Sequence, residues 1–118
     1  MMENKEYNLL LIERFPQLAE AYSEETSWQE GDDTGCHVVY GDVLTPYIES
    51  LIAVESCEVL RRVFDFLEEL AQQGDLYIDE VLQFSVLEKI ADNTEYLRYC
   101  KPMMQERLLE MIRELQTQ

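Results

Sequence analysis

The sequence predicts an all-α protein of one domain, about five to seven antiparallel helices spanning residues 1–118. Three observations carry this. Only four glycines and three prolines punctuate 118 residues, too few for the frequent turns of an all-β chain. Apolar residues recur at three- and four-residue intervals along most of the chain, the rhythm of amphipathic helices. With 47% hydrophobic residues, a chain of this size buries roughly 65% of its unfolded surface in a single core. Twelve aromatics, one Trp, seven Tyr and four Phe, argue against disorder.

The elements follow in order. Tyr7, Leu10, Leu11, Phe15, Leu18 and Tyr22 keep a helical spacing, but Pro16 pushes Phe15 out of the α region. Two short helices meeting at Phe15 are therefore expected. "TSWQEGDDTG" (26–35) is polar, contains two glycines and reads as a loop of about ten residues, a length at which connections often serve function. Val43, Leu44, Tyr47, Ile48, Leu51 and Ile52 predict a helix over 42–54, with Pro46 in its first turn. The preceding "HVVY" is read as helical, since a strand would find no partner elsewhere in the chain. Ser56 suits the N-cap of the next helix, whose apolar stripe is Val59, Leu60, Val63, Phe64, Leu67, Leu70 and Ala71 and which Gly74 closes. Ile78, Val81, Leu82, Ser85, Val86, Leu87 and Ile90 repeat the pattern. Pro102 marks a last helix start, with Met104, Leu108, Met111, Ile112 and Leu115 on one face.

Charge restricts the partners. Twenty-five acids against nine bases leave a net of −16. A nucleic acid would be repelled, because phosphate binding needs a basic face. An anionic membrane surface is excluded likewise, and a basic protein would be attracted and steered in. No run approaches the eighteen apolar residues of a spanning helix, and the opening "MMENKEYN" is not a secretory signal. Three cysteines, Cys36, Cys57 and Cys100, make an odd count that fits reduced thiols in the cytoplasm.

Reaction chemistry finds little footing. His37, the only histidine, neighbours Cys36, but adjacent side chains point apart, whereas a nucleophile and its base need hydrogen-bond reach. His37 and Asp42, five apart, would diverge by about 140° on one α-helix, and are read as bracketing a turn that caps the following helix. The spacings of a zinc site are absent, Asp32–Asp33 lacks the calcium-loop pattern, and no phosphate-binding glycine loop occurs. No cofactor, metal or catalytic residue is expected. Arg61 and Arg62 stand three and four residues from Glu58 and Asp65, as internal ion-pair donors would.

The surface is more informative. Residues 1–34 hold nine acids and two bases, a net of −7, and no Lys or Arg occurs between Arg14 and Arg61. Such a stretch is either a solvated acidic face or a patch that receives a basic partner. On the second reading Glu24, Glu25, Glu30, Asp32, Asp33 and Asp42 supply the charge. Trp28, Tyr40 and Tyr47 are then its aromatic anchors, a residue class enriched in interface cores, although Trp28 in such a loop is either a core plug or an exposed anchor. The other candidate interface is the acidic surface of the helices around Glu68 and Glu80.

Two resemblances extend this. "LEELA" (67–71) returns as "LEKIA" (87–91), and successive amphipathic helices of this kind resemble the half-repeats of HEAT or armadillo proteins. "HVVYGDVLTPYIESLI", "LRRVFDFLEELA" and "VLEKIAD", spanning about residues 35–92, resemble a family of small, acidic, helical bacterial proteins. The most specific part is the H-V-x-Y-G-D-V run leading to Pro46 and Tyr47. Such proteins are similar to the immunity proteins of contact-dependent growth inhibition and other polymorphic toxin systems. That likeness implies an antitoxin that covers a basic toxin domain, a nuclease by preference. The alternative is a helical adaptor whose groove, of HEAT-like shape, takes an endogenous protein. An enzyme is not expected, and oligomeric state is left open.

Overall fold

Local signals in the sequence start and stop most of the helices. In the computed structural model, which describes residues 2–117, α1 (Asn4–Arg14) opens with a reciprocal capping box between Glu3 and Glu6. It ends at Phe15, because Pro16 follows. A 3₁₀ turn, Pro16–Leu18, leads into α2 (Ala19–Thr26). The two helices therefore meet at Phe15, as the proline requires. The acidic loop follows and contains one further 3₁₀ turn, Gly31–Asp33.

The next helix, α3, starts at Cys36 and runs through three stretches without a break: Cys36–Val39, a π-helical segment Tyr40–Leu44, and Thr45–Ala53. The expected turn at His37–Asp42 is thus absent; the chain widens instead of breaking. In a π-turn the carbonyl of residue i faces residue i+5, and Thr45 Oγ1 donates to Tyr40 O at 3.1 Å. Glu55, at φ 54°, closes α3 in the left-handed region. Ser56 N–H bonds Leu51 O at 2.9 Å and Glu55 N–H bonds Ile52 O at 3.0 Å, the paired closure of a Schellman motif.

Helix α4 (Cys57–Ala71) follows at once. Ser56 stands at its N-cap, but the Ser56 side chain makes no capping hydrogen bond. Gly74, at φ 75°, turns the chain after α4. Helix α5 joins Leu76–Glu80, a π-helical segment Val81–Leu87, and Glu88–Ala91. Asp75 caps it by accepting from Tyr77 N at 3.0 Å. Asn93 does the same for α6 (Thr94–Cys100), which a 3₁₀ turn at Lys101–Met103 extends. Helix α7 (Glu106–Gln116) ends the described chain.

The described residues are therefore all-α, seven helices around one core. Tyr7, Tyr40, Phe64 and Phe66 are its largest buried side chains. Phe66 escaped the sequence stripe, yet it is fully buried, edge-on to Phe15 at 5.6 Å and under the Arg14 guanidinium at 5.1 Å. Pairings fix the directions. Tyr7 meets Asp75, Arg14 meets Glu69, and Phe15 meets Phe66, so α1 and α4 run antiparallel. Asp79 meets Arg107, and Gln83 meets Met111 and Glu114, so α5 and α7 run in the same direction, with α6 as the return. The two π-helical segments cross, Gly41 lying against Ser85.

Candidate binding surface

The acidic loop is held from beneath by buried polar groups. Asn8, fully buried in α1, donates its amide to the backbone carbonyls of Asp32 at 3.1 Å and Thr34 at 2.7 Å. Thr34 Oγ1 donates to Gly31 O at 2.7 Å and accepts from Glu30 N at 3.2 Å, closing the 3₁₀ turn. Tyr22 donates to Asp32 Oδ1 at 2.6 Å. Burial and the facing Asp32 carboxylate together push the Tyr22 hydroxyl far above its ordinary pKa. Gln29 binds back to Glu25, through its carbonyl at 3.1 Å and its carboxylate at 2.9 Å. The loop is thus ordered before any partner arrives, which lowers the entropy cost of association.

On this scaffold Glu24, Glu30, Asp32 and Asp33 are exposed and Glu25 is half-buried. Trp28 is 73% exposed, which settles its place: it is a surface residue and no part of the core. Asp42 is exposed on the π-helical segment of α3, which packs against α2. Tyr47 is half-buried, its hydroxyl accepting from Gln17 at 2.8 Å. Tyr40 is a correction. Its side chain is fully buried and donates to Tyr7 O at 2.8 Å, so it serves the core and presents nothing to a partner. It shares the inward face with Cys36, Val39, Val43 and Leu44, all buried at spacings of three and four.

Beside the loop lies a hollow of about 340 Å³, lined by Met2, Glu3, Asn4, Asp33 and Tyr77. Its polar groups are largely spent inside the protein: Asn4 Oδ1 accepts from Tyr77 at 2.5 Å and from Cys36 N at 3.2 Å. Among the described residues no group of three or more His, Cys, Asp or Glu side chains is arranged to hold a metal ion. His37 reaches across to Ser85 at 2.9 Å and stands edge-on to Tyr77. That pair pins α3 to α5.

The thiols are free. Burial pushes Cys36 up to about 11 and Cys100 up to about 12, so both stay protonated and unreactive. Cys57 is exposed, 2.8 Å from the Tyr99 hydroxyl. Arg62 pairs with Glu58 at 3.5 Å in the spacing the sequence suggests. Among the described residues no helix is long and apolar enough to cross a membrane.

The acidic helix surface around Glu80 borders a groove between α5 and α7, and what sequence reasoning missed is that groove and its exposed apolar wall. Leu76 is 77% exposed there, more than Trp28, and the groove, of about 270 Å³, runs beside it past Asp79, Arg107 and Met111. Leu76 and Phe84 are the large apolar residues of α5 that fall outside the buried stripe, at 77% and 42% exposure, and that departure is the signal that could have found the surface.

A family model described as a domain of unknown function (DUF7674) matches residues 8–118. No curated protein and no solved structure matches the chain.

Proposed function

We propose that this chain, which belongs to the DUF7674 family, is an immunity protein of the cytoplasm that binds a basic toxin domain, a nuclease by preference, and blocks its approach to nucleic acid. The observation that carries the reading is the pre-ordered acidic loop presenting Trp28. A single-sign field draws in a basic surface and raises the association rate. An exposed, rigid aromatic then supplies the apolar contact that slows departure. The net charge of −16 supports the same choice of partner, because a nuclease surface is built to attract phosphate.

The test is capture of partners from the producing cell at low salt and again at high salt, followed by assay of the captured protein. A basic nuclease held at low salt, released by high salt and inhibited by the purified chain is the expected result. Reversing Glu30 and Asp33 together to Lys should slow association about tenfold at low salt. Asp32 is left intact, since it anchors Tyr22. Trp28→Ala should speed dissociation with little change in the association rate. A partner indifferent to salt and to all three substitutions sinks the reading.

A further inference from the structure

The groove between α5 and α7 has features that the loop does not explain. Its wall carries Leu76, 77% exposed, and its floor carries Met111, which is buried. A large apolar side chain left in water beside a buried one offers contact area to a ligand. Three carboxylates line the same groove, Asp79, Glu80 and Glu114. Among the described residues its lining holds one cation, Arg107, which is already committed. Arg107 reaches Asp79 Oδ2 at 3.3 Å and Glu110 at 2.6 Å, so its charge is offset twice over within the protein. Asp79 Oδ1 is buried and has no hydrogen-bond partner. An unmet acceptor of this kind is costly and is rarely left so. Burial also raises the Asp79 pKa, against the pull of Arg107.

We infer that this groove is a docking site for a basic amphipathic segment of the partner protein, a lysine or arginine lying over Asp79 and an apolar neighbour seated on Leu76 and Met111. Charge complementarity selects the occupant. An acidic or neutral peptide would meet three carboxylates, whereas an ammonium or guanidinium is drawn to the field of Asp79, Glu80 and Glu114. An apolar side chain one helical turn away covers Leu76, the arrangement by which a helix settles in a groove. This site rests on the reading of the protein as a binder of a basic partner, and adds a second contact surface to the acidic loop.

The probe is a short helical peptide made only of leucine and lysine, titrated into the ¹⁵N-labelled full chain at moderate salt. Amide shifts should concentrate at residues 76–83 and 107–114. Leu76→Ser, at an exposed position where folding is not at stake, should weaken binding about fivefold. Asp79→Asn should weaken it about tenfold, while Glu24→Gln, an equal change in net charge elsewhere, should alter it less than about twofold. Shifts confined to residues 24–33, with Leu76→Ser and Asp79→Asn silent, overturn the groove and leave the partner reading standing. Shifts spread over the whole acidic surface, all charge variants weakening alike, overturn the groove as well, as does an absence of binding.

Discussion

Glu68 shows how much one buried residue can organise. It is 4% exposed, and its carboxylate accepts from Arg107 N and Leu108 N, both at 3.1 Å, and from the Gln72 amide at 2.6 Å. The first turn of α7, which has no capping side chain of its own, is thereby capped from α4. A carboxylate placed there also complements the positive end of the helix dipole. Glu68→Ala would strand two amide donors in the interior and should cost about 2–3 kcal/mol, read as a lower denaturant midpoint. A loss below about 0.5 kcal/mol, the size typical of a surface substitution, would show that α7 caps itself. Sequence reading takes Glu68 for a surface acid, because nothing local records that a helix 38 residues later will end on it.

At the scale of the element, the π-helical segments are the departures that matter. Val81 and Val86, like Leu82 and Leu87, are spaced by five and are all fully buried. An α-helix would set each such pair about 140° apart; the wider turn brings both onto the core side. The five-residue spacing was therefore a legible sign of a π-turn, obscured because three- and four-residue spacings also run through the segment. The close of α3 was less legible. A Schellman motif usually announces itself with glycine, and here Glu55 occupies the left-handed position at φ 54°. Glu55→Gly should stabilise the protein by about 0.5–1 kcal/mol, since the strain of a β-carbon there exceeds the entropy that glycine loses. Thermal unfolding measures it, and a lower melting temperature would contradict the strain.

The whole molecule ties much of its interior to protonated groups. Burial raises the hydroxyls of Tyr7, Tyr22 and Tyr40 above their ordinary 10.0, and the thiols of Cys36 and Cys100 above 9.0, to about 11 and about 12. Asp75 and Asp32 reinforce the shift at Tyr7 and Tyr22 by facing the hydroxyls. A folded pKa above the unfolded one contributes stability that is complete below the unfolded value and fades as pH rises towards the folded one. Stability should therefore hold at neutral pH and fall from about pH 9 upwards, by several degrees in melting temperature per kcal/mol lost. Tyrosinate absorbance from the buried rings should rise only with loss of helical circular dichroism. Ionisation of those rings well before unfolding would refute the linkage.

What the sequence determined by itself is what depends on near neighbours. Helical class, one core, the break at Phe15–Pro16, the turn at Gly74 and the acidic character of residues 20–42 all follow from spacing, backbone stereochemistry and charge. Glu24 in α2 and the loop acids Glu30, Asp32 and Asp33 were legible as surface for the same reason, whereas Trp28 could equally have plugged the core and only its 73% exposure placed it outside. Only the tertiary structure decided the burial of Tyr40 and Phe66, the capping of α7 by Glu68, and the shared direction of α5 and α7 that opens a groove beside Leu76. Each of these depends on which residues distant in sequence come to lie across from one another, and burial is a property of that pairing. The period of a helix says that it has an apolar face; its neighbours decide how much of that face is covered.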